Sequence, residues 1–113
     1  MTAKNTLIQA PPYAVERAIK RLGANLRTAR LRRNLTIEEV GEKIGTGPRA
    51  VSDAEKGKIS TSMAVYIALL WVYDLLSPLE ELADPASDIE GLNLSLSKER
   101  ARSRVTDGLD NEF

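Results

Sequence analysis

Apolar residues along the first third of the chain recur at the spacing of an amphipathic helix. Between residues 13 and 33 they follow one another at steps of three or four positions, which places them on a single helical face. These residues are Val15, Ile19, Leu22, Leu26 and Ala29. Two prolines directly before this stretch suit the entry into a helix, because the first helical N–H groups lack an intrahelical partner. We therefore expect a long helix that begins near Tyr13 or Ala14.

Two short helices joined by a glycine-containing turn are predicted next. Thr36 is a good N-cap, and an acidic residue three positions later completes a capping-box pattern. Gly45 suits the end of this helix, and Pro48 suits the first position of the following one, which Gly57 ends. Two short helices joined in this way form a helix-turn-helix motif, here over about residues 37–56.

A fourth helix is predicted over an uninterrupted run of 11 apolar or aromatic residues, from Met63 to Tyr73. A helix that is apolar on every side must be buried on every side. We expect a two-fold dimer to cover the face that the core does not use. The expected interface residues on this helix are Tyr66, Leu70, Trp71 and Tyr73. The alternative is a monomeric core covered by a short fifth helix and the segment after it.

The pattern changes after residue 85. Leu92, Leu94 and Leu96 alternate with polar residues, which is the period of a half-buried strand. A lone strand needs a partner, so we expect these three leucines to pair across the dimer. The predicted organisation has four parts: an N-terminal arm (1–13), the helix-turn-helix domain (14–84), a linker with the dimer strand (85–97) and a flexible tail (98–113).

Composition narrows the possible functions. The chain of 113 residues suits one small domain, and it contains no cysteine and no histidine. Catalysis by Cys/His or Ser/His sets and thiolate or imidazole metal sites are thereby excluded, so we expect neither an enzyme nor a cofactor. The longest apolar run is about half of the roughly 20 residues that cross a bilayer. We expect a cytoplasmic, nucleoid-associated protein without a membrane partner.

Charge is distributed unevenly, although the formal net charge is zero. Residues 1–34 hold eight basic side chains and one acidic one, whereas residues 78–113 hold nine acidic and four basic ones. The basic segment lies directly before the predicted motif, which favours contacts with phosphates and a steep salt dependence. The alternative is that its arginines form an ordinary solvated helix face.

The stretch "LGANLRTARLRRNLTIEEVGEKIGTGPRAVSDAEKGK", residues 22–58, resembles the Cro/C1 (XRE) type of helix-turn-helix regulator. Its glycines, the cap threonine and the series Val51, Glu55, Gly57 all fall in register with that pattern. The resemblance implies an all-α, lambda-repressor-like domain of five helices, whose third predicted helix enters the major groove of double-stranded DNA. By helical spacing, Glu55 is expected to turn back toward an arginine of the first predicted helix.

Carried over by position, the resemblance implies a set of DNA-binding residues. Arg49 is the best candidate for a bidentate contact to guanine, because it is the only long donor early in its helix. The remaining candidates are Arg33, Thr36, Lys43, Thr46, Gly47, Ala50, Ser52, Asp53 and Lys56. Two positions depart from the family pattern: Ile37 stands where glutamine is frequent, and Asp53 where arginine is frequent.

The segment from residue 59 to 104 is similar to the second half of HipB-like antitoxins. The resemblance rests on the run "LLSPLEELADPASDIEGL" and the basic "KERARSR" that follows it. It implies a homodimer that binds a palindromic operator, represses its own operon and docks a HipA-like serine/threonine kinase toxin.

Alternative interpretations remain for the motif and for the basic run. In the first, Arg49, Lys56 and Lys58 form a solvated face on a helix-turn-helix used only for protein contacts, and the protein neutralises a toxin or kinase without specific DNA binding. In the second, "KERARSR" is only a solubilising tail.

Overall fold

The fold is known from a computed structural model, which describes the backbone of residues 5–111 and the side chains of residues 5–104. Over these residues all regular structure is helical. The elements are α1 (Thr6–Gln9), α2 (Tyr13–Arg32), α3 (Ile37–Ile44), α4 (Pro48–Glu55), α5 (Met63–Val72), α6 (Ser77–Glu80) and α7 (Ile89–Asn111). The chain divides into two compact units, Met1–Ser77 and Pro78–Phe113. The predicted all-α helix-turn-helix fold is confirmed.

The core of the first unit lies among α2, α3, α4 and α5, and α4 contacts each of the other three helices. Among the described residues, eight apolar side chains are buried there, and Leu26 and Ala29 come from the face that the sequence pattern predicted for the first long helix. The eight are Leu26, Ala29, Val40, Val51, Ala54, Tyr66, Leu69 and Tyr73. Each short helix contributes one or two of these residues, so none of the short helices has an apolar face of its own large enough to fold alone.

Helix α5 divides its apolar residues between the core and the surface. Tyr66, Leu69 and Tyr73 face inward, whereas Met63 is 66% exposed and Trp71 is 60% exposed. Of the residues expected at a dimer interface, Tyr66 and Tyr73 are therefore corrected to core residues of the single chain, because their rings fill the space beside α2 and α4. Trp71 and the half-buried Leu70 remain accessible on the outer side.

The predicted strand over residues 92–96 is not confirmed, because these residues lie inside α7. A helix satisfies its own backbone hydrogen bonds, whereas a single strand leaves them open. Asp88 also caps the helix, since its Oδ1 accepts a hydrogen bond from the Gly91 N–H at 3.0 Å. The expected arm and tail also include residues 1–4, 112 and 113, which lie outside the described residues.

Candidate nucleic-acid interface

Helix α3 and the turn after it are fixed by local hydrogen bonds. The Thr36 hydroxyl accepts from the Glu39 N–H at 3.1 Å, and the Glu39 carboxylate accepts from the Thr36 N–H at 3.2 Å. This is the predicted capping box. Gly45 ends the helix at a φ of 82°, a left-handed conformation that a side chain disfavours. The chain then turns into α4 within three residues, so the ends of the two helices lie close together.

Helix α4 is held against α2 by close backbone contact. Val51 and Ala54 are fully buried on its inner side. At Gly23 of α2, an added Cβ atom would meet the carbonyl oxygens of Ala54 and Glu55, the second at 2.7 Å. Glycine is therefore required inside this otherwise continuous helix, because any side chain would push the end of α4 away.

A buried ion pair fixes the same end of α4. Arg30 of α2 donates to both carboxylate oxygens of Glu55, from Nε at 2.7 Å and from Nη2 at 3.0 Å. Its Nη1 also donates to the Leu35 carbonyl at 3.0 Å. The hydrogen bond that Arg30 donates to Glu55 raises the pKa of Arg30, so the guanidinium stays charged. The prediction that Glu55 turns back toward an arginine of the first long helix is confirmed.

The opposite edge of α4 faces away from this packing. Arg49 and Lys56 are exposed, and Ala50 and Ser52 are half-buried beside them. Gly47 is the N-cap, and among the described residues no side chain caps the helix. The first N–H groups of α4 are therefore available to an anion such as a phosphate, which the helix dipole also attracts.

The structure shows a local contact for each of the two residues that depart from the family pattern, Ile37 and Asp53. Ile37, the first residue of α3, is half-buried and packs against the core. Asp53 lies 3.8 Å from the ammonium of Lys58, which immediately follows the turn after α4. An apolar residue at the start of α3 therefore contributes to packing, and the carboxylate on α4 has a cation beside it that reduces its repulsion of phosphates.

Arg33 links the C-terminal ends of α2 and α5. Its Nη1 donates to the Ala29 carbonyl at 2.9 Å and its Nη2 to the Tyr73 carbonyl at 3.0 Å, and its guanidinium carbon lies 5.4 Å from the centre of the Tyr73 ring. These carbonyls lie at the C-terminal ends of α2 and α5, where a positive charge is favoured. The structure thus gives Arg33 a role between two helices that the resemblance did not imply.

The remaining candidate residues surround α4. Thr46 and Gly47 form the turn directly before it, while Thr36 and Lys43 lie at opposite ends of α3. Lys43 is exposed, and the Thr36 hydroxyl oxygen is already used in the capping box. The structure therefore groups most of the predicted set on α4 and its turn and separates Arg33 from it.

The basic segment before α3 contains two kinds of side chain. Arg30 is buried in its ion pair, and the exposed Arg33 donates to the Ala29 and Tyr73 carbonyls, whereas five others are exposed on α2 without a partner on another helix. The exposed ones are Arg17, Lys20, Arg21, Arg27 and Arg32. The sequence contains a signal that Arg30 faces inward, because Arg30 lies four residues after the buried Leu26 and thus on the same helical face. These five side chains are accessible to phosphates.

The part of the chain that the structure describes lacks two further kinds of feature, a membrane-spanning helix and a metal-binding cluster. Residues 5–111 contain no helix with the length and apolarity needed to span a bilayer. Among the same residues, no three His, Cys, Asp or Glu side chains come together in a way that could hold a metal ion.

Comparison with known proteins assigns a family to this architecture. The family model described as a helix-turn-helix domain matches residues 21–84, more than half of the chain. In the comparisons with curated proteins and with solved structures, nothing matches. The matched range begins inside α2 and ends after α6, so it includes α3, α4 and α5 in full.

Proposed function

Because this chain belongs to the helix-turn-helix domain family, we propose that it is a sequence-specific transcriptional repressor that acts as the antitoxin of a HipA-like kinase. Membership of the family makes it a DNA-binding regulator of the XRE-like kind. The proposal adds three things to family membership: a palindromic operator, a homodimer and a kinase toxin as partner. One observation carries it: α4 buries Val51, Ala54 and Glu55 while it exposes Arg49 at its other edge.

Base recognition is assigned to the first two turns of α4. Arg49 is the second residue of the helix, and its guanidinium can donate two parallel hydrogen bonds to O6 and N7 of a guanine. Ser52, one turn later, can donate or accept at a base edge, and the methyl group of Ala50 suits the methyl group of thymine. Asp53 lies next to Ser52 and can accept from the amino group of cytosine, with Lys58 offsetting its charge.

Phosphate contacts are assigned to groups that flank these residues. The uncapped N–H groups of α4 lie directly after Thr46 and Gly47, while Lys43 and Lys56 extend from the ends of the two helices. Thr36 lies at the start of α3, where the helix dipole also favours a phosphate. Such contacts position the protein on DNA without reading its sequence.

A palindromic operator requires two copies of α4 about 34–36 Å apart, as in other dimeric helix-turn-helix proteins. We assign the first dimer contact to the outer side of α5. Trp71 and Met63 are both exposed there. Large apolar side chains that are exposed together on a protein surface are typical of an interaction site. Leu70 lies at the edge of the same surface.

The antitoxin assignment rests on sequence. The run "LLSPLEELADPASDIEGL" and the basic segment "KERARSR" are similar to the second half of HipB-like antitoxins. The partner of such a protein is a kinase whose gene lies beside it in one operon. We therefore expect a HipA-like reading frame next to this gene and a complex of the two proteins.

Titration of DNA from upstream of the gene, in a gel-shift series at several salt concentrations, tests the repressor assignment. We expect tight binding to one palindromic site, weaker binding to the same bases in shuffled order, and a steep loss of affinity with salt. Equal, weak binding to both DNAs contradicts the assignment and favours the alternative, a module that neutralises its partner by contact alone. Co-purification from the native operon tests the toxin assignment separately.

A further inference from the structure

Polar side chains form a row along one side of α2. They follow one another at steps of four, four, three and four residues, which places them on a single helical face. The members of this row, called the α2 row below, are Arg17, Arg21, Asn25, Thr28 and Arg32. All five are exposed, and three of them carry a guanidinium.

The α2 row lies on the side of the helix that faces away from α4. Helix α4 meets α2 at Gly23, where an added Cβ atom would contact backbone oxygens at the end of α4. Arg21 precedes Gly23 by two residues and Arg32 follows it by nine, so at about 100° per residue both lie on the opposite side of α2. Because α4 turns Val51 toward the core and Arg49 toward solvent, a duplex bound by α4 leaves the α2 row free.

The guanidiniums of the α2 row have no carboxylate partner among the described residues. The two cations of α2 that form ion pairs there, Lys20 and Arg30, both lie outside the row. Arg17 and Arg21 are four residues apart, and like charges at that spacing destabilise a helix. A bound anion would relieve this repulsion, so the row is suited to an anionic ligand.

The length and composition of the α2 row suit the backbone of a nucleic-acid duplex. From Arg17 to Arg32 the helix rises by about 22 Å, since each residue adds about 1.5 Å. A DNA duplex of that length carries about 13 phosphate charges, one for each 1.7 Å or so. A protein partner is disfavoured, because a stable protein interface has an apolar centre and the five members of the row are all polar.

We infer that the α2 row binds the phosphate backbone of a second DNA duplex while α4 holds the first. Its guanidiniums donate charge-assisted hydrogen bonds to phosphate oxygens, and such contacts carry no sequence information. The protein thereby holds two DNA segments together. This activity goes beyond the proposed function, since it needs neither base reading by α4 nor the toxin partner.

Capture of a second duplex tests the α2 row. The full-length protein is held on a surface through a terminal tag and loaded with unlabelled DNA from upstream of its gene, and unbound DNA is washed away. A labelled duplex of shuffled sequence is then added, and the bound amount is measured at several salt concentrations. The test variant is R17Q/R21Q/R32Q. The matched control is K98Q/R100Q/R104Q, which removes the same charge from exposed positions of α7.

We expect the wild type and the control to capture the second duplex, and the test variant to capture severalfold less with unchanged loading of the first duplex. No capture by the wild type, equal capture by the test variant, or an equal loss in both variants would overturn the inference. Tighter capture of an RNA duplex of the same length would overturn the assignment to DNA. Loss of operator preference with row-dependent capture retained would contradict only the repressor assignment.

A charge-preserving variant separates the effect of charge from any effect on folding. R17K/R21K/R32K keeps three cations at the same positions and should capture the second duplex nearly as well as the wild type, because backbone binding depends mainly on charge. Thermal unfolding should show equal stabilities for all variants, since the substituted side chains are exposed. Capture that falls as far in the lysine variant as in the glutamine variant would contradict binding of the backbone by charge.

Discussion

Helices α4 and α7 use their apolar residues in opposite ways. In α4, Val51 and Ala54 are fully buried against three other helices, and the last residue is held by a buried ion pair. In α7, Leu92 is 51% exposed and Leu96 is 41% exposed. The position of α4 is thus determined within one chain, which a base-reading element requires. The exposed leucines of α7 gain burial only when another surface covers them.

This contrast separates the two tasks of the proposed repressor. Recognition of a base needs an arginine whose backbone is held in place, and the contacts that hold it lie on the inner side of α4. Association needs an apolar surface that stays open until a partner arrives. The following predictions alter either the packing of the core around α4 or the exposed leucines of α7, so that the two kinds of surface can be compared.

The largest loss of stability is expected from a substitution at the C-terminal end of α4. Glu55→Ala removes the carboxylate that pairs with Arg30 and leaves a buried guanidinium without its counter-charge. The cost is about 3–5 kcal/mol in the free energy of unfolding. Urea unfolding measures it. Glu42→Ala, an exposed glutamate on α3, is the matched control and should change stability by less than about 0.5 kcal/mol. Equal stabilities of the two variants would contradict the assigned role of the ion pair.

The next largest loss of stability is expected from a substitution at the close contact between α2 and α4. Gly23→Ala gains up to about 1 kcal/mol in helix propensity, but its methyl group meets the carbonyl oxygens of Ala54 and Glu55. Because backbone must move, we expect a net loss of about 1–3 kcal/mol. Gly47→Ala is the control, since no described atom lies within 4 Å of its added Cβ. A stabilising Gly23→Ala would show that the two helices have room to separate.

A smaller loss of stability is expected at alkaline pH. Burial raises the pKa of Tyr73 to about 12, from an ordinary value of 10.0. The folded state therefore favours the neutral phenol, and stability is fully present below pH 10 and is lost as pH rises toward 12. By pH 11 the loss is about 1 kcal/mol. Tyr73→Phe removes this part of the pH dependence, and urea titrations at pH 8 and pH 11 measure it. An unchanged slope with pH would contradict the burial of the phenol.

The smallest change in stability is expected on α7. Leu92→Ala removes an exposed side chain, so the free energy of unfolding of the dilute protein should change by less than about 0.5 kcal/mol. Leu69→Ala on α5 removes a fully buried leucine and should cost about 2–5 kcal/mol. Thermal unfolding at low protein concentration compares them. Similar losses would mean that α7 is as fully packed as the core, which would remove the contrast with α4.

Sequence alone predicted the helices whose signals are local. The cap at Thr36, the turn glycine Gly45 and the proline at Pro48 act within one helical turn, and the structure has these helix ends where the pattern indicated. Glu55 was also predicted to face the domain, because helical spacing from Val51 determines its direction. Local chemistry and helical period were sufficient for these features.

The remaining features depended on contacts distant in sequence. Arg33 meets the carbonyl of Tyr73, 40 residues away, and no local pattern reveals that partner. Tyr66 and Tyr73 were expected at an interface, since a helix that is apolar all round does not reveal which side meets its own core. The leucines of α7 fit a strand period and a helix equally over five residues, and only the cap at Asp88 and the polar residues beyond them favour the helix.

Arg49→Ala provides the most direct test of the claim that the exposed edge of α4 reads DNA. Arg17→Ala, on the exposed side of α2, removes the same charge elsewhere and is the control. Affinities for the operator and for shuffled DNA are measured for both variants at one salt concentration. We predict that Arg49→Ala lowers the preference for the operator by about 1–3 kcal/mol without a change in stability, while Arg17→Ala retains that preference. Wild-type preference in Arg49→Ala would contradict the account.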